Sequence, residues 1–130
     1  MSQDPIADFI AALKNGLERR KVYIDFPASK ILGEILKIMK DQSFVESYKK
    51  ISDRKQGFFR IFPVYEGNVP ALKGAERVSK LGGRVYAGSD EIPRVRDGYG
   101  ICIISTSSGI MEGEASRAAN CGGEVICYLW

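Results

Sequence analysis

Histidine is absent from the 130 residues, and this removes whole classes of chemistry. Without an imidazole there is no Ser-His or Cys-His nucleophile pair, and a zinc site loses its commonest nitrogen ligand. Cysteine is scarce: Cys102, Cys121 and Cys127 are an odd number with no Cys-x-x-Cys pair. Two of them stand inside apolar strand patterns, so they read as core thiols of a reducing compartment and not as a disulfide framework or a metal site. No Gly-Lys-Ser/Thr phosphate loop occurs, and Gly98-x-Gly100 lacks the third glycine of a dinucleotide loop because Ile103 stands in its place. No apolar run approaches the roughly 20 residues of a membrane span. The N-terminus has neither the basic nor the apolar segment of a signal peptide. The expectation is a cytoplasmic protein with no membrane partner, no metal, no cofactor and no catalytic step. Ser-Lys or paired-carboxylate chemistry stays formally open, but no spacing places such a pair.

The hydrophobic share of 45% and charged share of 27% are those of a soluble globular chain, long enough for one ordinary core or two small packed ones. The net charge of +3 is unevenly spread. Residues 1–66 and residues 73–96 each carry a surplus of three cations, whereas from Asp97 onward Arg117 alone faces Asp97, Glu112, Glu114 and Glu124. Phosphate contacts would therefore come mainly from the first two thirds of the chain.

Within the acidic third, the apolar run Ile101-Cys102-Ile103-Ile104 passes without a spacer into Ser105, Thr106, Ser107, Ser108 and Gly109. A buried strand that delivers a hydroxyl-rich loop is the natural reading. Hydroxyls both donate and accept, so such a loop can read bases and ribose, where a lysine cluster could only neutralise charge. The plainer reading is a Ser/Thr turn whose hydroxyls bond their own backbone.

Taken in order, Asp4-Pro5 predicts a helix start, with Ile6, Phe9, Ile10, Leu13 and Leu17 at helical spacing and fraying near Asn15-Gly16. Lys14, Asn15, Arg19, Arg20 and Lys21 then form a basic exit. Val22 to Phe26 alternates as a strand up to Pro27. Ser29 is placed to cap a second helix with a stripe of Ile31, Leu32, Ile35, Leu36 and Met39, so Ser29 and Lys30 stand where backbone N–H groups favour an anion. Phe44 to Ile51 and Phe58 to Tyr65 read as a hairpin whose tip carries Lys49, Lys50, Arg54 and Lys55. The run Lys55 to Phe62 is faintly similar to the RNA-binding motif of RRM domains, but the order of elements departs from that pattern. Glu66 to Pro70 has turn residues only and is the expected domain boundary. Beyond it, Ala75 to Ser79, Arg84 to Ala87 and Ile101 to Ile104 read as strands, Glu112 to Asn120 as a short helix with Gly122 as its terminal glycine, and Glu124 to Trp130 as an alternating last strand. The fold class expected is α+β, with two small packed domains: residues 1–66, helix-strand-helix-strand-strand, and residues 67–130, mainly β with one short helix.

Over nearly its whole length, from Gln3-Asp4-Pro5-Ile6-Ala7-Asp8 to Gly122-Gly123-Glu124, the chain resembles the ribosomal protein S-eight family of the small ribosomal subunit, of bacterial type. The most specific motif is Ser105-Thr106-Ser107 followed by Gly109. The resemblance implies a structural protein that binds the central domain of small-subunit rRNA and helps its assembly. It further implies neighbouring small-subunit proteins as partners, and its own messenger RNA where that carries a similar fold. On this reading the RNA-binding residues are Lys14, Asn15, Ser29, Lys30, Lys55, Tyr86, Ser105, Thr106, Ser107, Ser108, Gly109, Gly123 and Glu124. The ribosome would be cytoplasmic, with an organellar one left open. The sequence departs from the family at Leu81, Gly83 and Gly113. The rival readings are a protein-interaction module with an exposed strand edge and an RRM-like binder of single-stranded RNA; RNase and salt dependence separate the first of these from an RNA-binding protein.

Overall fold

The computed structural model describes residues 4–130, so Gln3 of the matching segment lies outside the described residues. The fold is α+β, and the chain divides into two compact units, Ile6–Leu72 and Lys73–Trp130, the latter taking in Asp4 and Pro5.

In the first unit, helix α1 (Pro5–Glu18) buries Ile6, Phe9, Ile10, Leu13 and Leu17 along one face. It does not fray at Asn15-Gly16. Gly16 is buried, and a Cβ there would lie 2.5 Å from the Ile24 side chain, so glycine lets α1 close on strand β1 (Ile24–Pro27) and that packing carries the helix one turn further. Helix α2 (Lys30–Asp41) buries Leu32, Ile35, Leu36 and Met39. Strands β2 (Val45–Ile51) and β3 (Phe58–Pro63) complete an antiparallel sheet in the order β1-β3-β2. Phe59 and Ile61 are buried, and Phe9 meets Phe26 edge-on at 5.6 Å. A short hairpin of β4 (Tyr65–Glu66) and β5 (Val69–Pro70) ends this unit, and Ala71 N–H donates to the Val64 carbonyl. The boundary expected at residues 66/67 thus cuts through a hairpin tip. Gly67 and Asn68 are turn residues because the strand reverses there, and the change of unit comes after Leu72.

The second unit is built on strands β6 (Ala75–Arg77), β7 (Tyr86–Ala87), β8 (Ile101–Thr106), β9 (Gly109–Glu112) and, after helix α3 (Gly113–Ala118), β10 (Gly123–Leu129). β10 lies between β8 and the pair β6 and β7, and β9 lies beyond β8. Cys102, Ile104 and Val125 pack with Ile92 and Val95, two apolar residues of an otherwise charged connection. Asp4 belongs to this unit through the Arg77 Nε, which donates to its carboxylate at 3.3 Å.

Two expectations are corrected here. Strict alternation in the last strand fails: Val125 opposes Ile104 and Cys127 opposes Ile103, so Ile126 is an extra residue in a bulge, and Val125 joins Tyr128 and Trp130 on one face. The short helix is Gly113–Ala118, with Glu112 as its cap accepting from Glu114 N and Ala115 N. Its left-handed terminal residue is Asn120 (φ 57°) and not Gly122; Asn120 N–H returns to Arg117 O and Cys121 N–H to Ser116 O.

Candidate nucleic-acid interface

The hydroxyl stretch is the tight end of the β8–β9 hairpin. Ser105 pairs with Ile110 and Thr106 with Gly109, leaving Ser107 and Ser108 as a two-residue turn. Thr106 Oγ1 accepts from Ser108 N–H at 3.1 Å and donates to the Gly109 carbonyl at 2.8 Å, and Gly109 takes a φ of 111° open to glycine. The turn reading therefore holds for Thr106, whose hydroxyl is spent on shaping the tip. Among the described residues, the hydroxyls of Ser105, Ser107 and Ser108 have no hydrogen-bond partner, and Ser107 and Ser108 are exposed.

Beside this tip, β10 begins under pressure from both neighbours. A Cβ on Gly123 would lie 2.0 Å from Ser105 O, and one on Gly122 would lie 2.5 Å from Ala87 O. The two glycines let three backbones converge. Across them runs one row, Ile110, Ser105, Glu124 and Tyr86, on four adjacent strands. Tyr86 is 70% exposed. The Glu124 carboxylate accepts from Ser79 Oγ and from Arg84 Nη1 at 3.0 Å. The Ser79 hydroxyl, helped by Arg84, holds the Glu124 carboxyl below its ordinary value of 4.5, so it is an ionised acceptor with a fixed direction. Ser79 Oγ also accepts from Val85 N–H at 3.1 Å, and Ser79 is completely buried. Sequence reasoning missed Ser79 and Arg84. The signal was there for Ser79: it shares strand parity with buried Ala75, and a hydroxyl at a core position needs a polar partner.

The basic candidates form a separate group in the first unit. Ser29 caps α2 in extended backbone, with Leu32 N–H donating to its Oγ at 3.2 Å. Ala28 N–H donates to Gly57 O at 2.9 Å, which brings the β2–β3 tip, with Lys55, against the α2 start that carries Lys30. Asp53 shapes that tip: its Oδ1 accepts from Lys55 N–H at 2.7 Å and Gly57 N–H at 2.8 Å, and these bonds lower its carboxyl below the ordinary 3.8. Ser29, Lys30 and Lys55 are exposed together, while Lys14 and Asn15 stand exposed on α1, outside this group. The outer aromatic face of β3 offers no bare ring to a base. Arg60 lies over Tyr23 at 4.2 Å and near Phe58 at 5.8 Å while paired with Asp25 at 3.0 Å, and Lys49 lies over Phe62 at 5.8 Å.

Residues 4–130 match the family model described as ribosomal protein S8. The chain belongs to the ribosomal protein S8 family. Its relatives include the small ribosomal subunit protein uS8 of Kosmotoga olearia, 43% identical with both chains covered in full. The proteins of the same name from Caldicellulosiruptor bescii and Syntrophobacter fumaroxidans are 46% and 44% identical, each match covering 98% of this chain and 97% of the relative. The S8 family is structural and not enzymatic. Burial pushes the Cys102 thiol to about 11 and the Cys127 thiol to about 12, as befits two protonated core side chains. Of the positions that depart from the family pattern, Leu81 lies exposed in the turn closed by Lys80 and Gly83. Gly113 is buried, where a Cβ would stand 3.1 Å from Ile92 and 3.2 Å from Cys102.

Proposed function

We propose that this chain is a structural component of the small ribosomal subunit that binds the central domain of small-subunit rRNA and helps that domain assemble. The observation that carries the reading is the hairpin tip: three hydroxyls without partners beside an ionised, oriented carboxylate and an exposed tyrosine ring. Such a surface recognises base edges and ribose, not charge. It suits an RNA helix with irregular pairing, since regular A-form duplex hides its base edges in a deep, narrow groove. Ser29, Lys30 and Lys55 supply the complementary function of holding phosphates, so positioning and readout fall to different residues. In a bacterial cell this places the chain on the ribosome.

The two parts should fail differently when cut. Ser107→Ala removes one or two hydrogen bonds at a desolvated contact, and specific binding to a central-domain rRNA fragment should weaken by roughly 1 to 3 kcal/mol with little change in salt dependence. Lys30→Ala should weaken specific and control RNA alike and lower the slope of log K against log salt by about 0.7 to 1. Filter binding across a salt series reads both, with circular dichroism to verify folding. If folded Ser107→Ala and Ser105→Ala both bind as tightly as the parent, the hairpin is only a turn and the site lies elsewhere.

A further inference from the structure

The tip of the β2–β3 hairpin carries two cations, Arg54 and Lys55, and yet the side chain that shapes it is an acid. Arg54, Lys55 and Lys30 are exposed, and among the described residues none of them takes part in an ion pair. Asp53 is exposed beside them, and the two N–H groups that it accepts from keep it ionised at neutral pH. A carboxylate next to a phosphate-binding surface repels a polyanion. On charge alone, then, its removal should strengthen RNA binding.

Its hydrogen bonds point the other way. β2 ends at Ile51 and β3 begins at Phe58, and among the described residues no N–H of residues 52–57 donates to a backbone carbonyl. What orders the loop is the Asp53 side chain, whose Oδ1 accepts from Lys55 N–H at 2.7 Å and from Gly57 N–H at 2.8 Å. Gly57 in turn offers its carbonyl to Ala28 N–H at 2.9 Å. Lys55 stands two residues before Gly57, and Lys30 two residues after Ala28. One carboxylate oxygen thus fixes the backbone that carries Lys55 and, through a single further bond, its place against the start of α2, which carries Lys30. Without that oxygen the loop would have to be ordered when RNA binds, and the conformational entropy lost at that moment lowers the affinity.

We infer that Asp53 is a positioning residue for the phosphate contacts, an acid that raises the affinity for RNA, against the sign of its own charge, by holding Lys55 in register with Lys30. The inference rests on the reading of Ser29, Lys30 and Lys55 as phosphate-holding residues, and adds the group that makes two separate segments act as one clamp. A preorganised pair of cations meets the phosphates without first losing the freedom of the loop.

The test is filter binding of the full chain to a central-domain rRNA fragment across a salt series, with urea unfolding to verify that each variant is folded. Asp53→Ala should weaken binding roughly fivefold, the scale of one ordinary hydrogen bond, and lower the slope of log K against log salt by about 0.7 to 1, as the loss of a phosphate contact does. Asp53→Asn removes the charge but keeps an oxygen that can close the same turn, so it should bind at least as tightly as the parent and with the parent's slope. In a Lys55→Ala background, Asp53→Ala should change the slope no further. Should Asp53→Ala fail to fold, Asp53→Glu, which keeps the charge and displaces the oxygen, takes its place with the same expected loss. Affinity at or above the parent's in folded Asp53→Ala, a loss of affinity with the slope unchanged, an equal loss in Asp53→Asn, or a further loss of slope on top of Lys55→Ala overturns the positioning role alone. A slope that Lys55→Ala by itself leaves unchanged overturns the phosphate-holding reading of Lys55, and this inference with it.

Discussion

Gly123→Ala is expected to weaken specific rRNA binding by on the order of 100-fold, the loss of two or three hydrogen bonds at about 1 kcal/mol each, although the residue has no side chain to offer RNA. The added methyl would stand 2.0 Å from the Ser105 carbonyl oxygen, 2.8 Å from its carbon and 3.2 Å from Thr106 Cα. All three are backbone atoms, so no rotamer change relieves the clash. The only escape is to move β8 and β10 apart, and the place where they would part is the Ser105–Glu124 pairing that joins the hydroxyl hairpin to the carboxylate. Overpacking of this kind costs about 1 to 3 kcal/mol of stability. A site must hold its groups to within about 0.5 Å to act together. Gly82→Ala is the matched control, since a Cβ there meets nothing within 4 Å and the backbone is not left-handed. Denaturant unfolding and filter binding on both variants give the comparison. A folded Gly123→Ala protein with the parent's affinity would show that the close approach of the strands is irrelevant to RNA.

Local signals in the sequence decide structure where they act within a few residues. Proline after Asp4, the 3.6-residue apolar spacing of α1, the Ser29 cap and the polar tip between β2 and β3 all translate directly into structure, because each is decided by dihedral limits or by one helix turn. The errors come from contacts between distant segments. Gly16 looked like a helix breaker, and only the nearness of Ile24 explains why it sits inside α1. The bulge at Ile126 leaves no mark in an alternating string, since the extra residue is defined by its partner strand. Ile92 and Val95 were hidden among charges and proved to be core. At the candidate site, the hydroxyl run and the Gly-Gly-Glu stretch were legible as composition, and their convergence was not. The row Ser105, Glu124, Tyr86 exists because β10 runs between β8 and β7, a matter of sheet order.

That sheet order also makes Ser79 the residue on which Glu124 depends, and Ser79→Ala should show it as a pH-dependent loss of stability. One hydroxyl serves two groups: it donates to the Glu124 carboxylate and accepts from Val85 N–H. Alanine would leave both short of a partner at a completely buried position, at a cost of about 1 to 3 kcal/mol. The two halves of that cost respond differently to acid. Glu124 is held below its ordinary value of 4.5, chiefly by Ser79. A carboxyl whose folded value lies below its unfolded one adds stability that is fully present above the unfolded value and is lost as pH falls through the folded one. The gap in stability between parent and Ser79→Ala should therefore be widest at neutral pH and narrow below about 4.5. A remainder should persist in acid, because the Val85 N–H has no protonation to lose. In the same variant Arg84 alone holds Glu124, so RNA affinity should fall at neutral pH even though Ser79 is too deeply buried to touch RNA. Thermal unfolding from pH 7 to pH 3 and filter binding at pH 7 measure the two effects. A stability gap that stays constant across that range would mean that Ser79 works through Val85 alone and that the direction of the Glu124 carboxylate is set by Arg84.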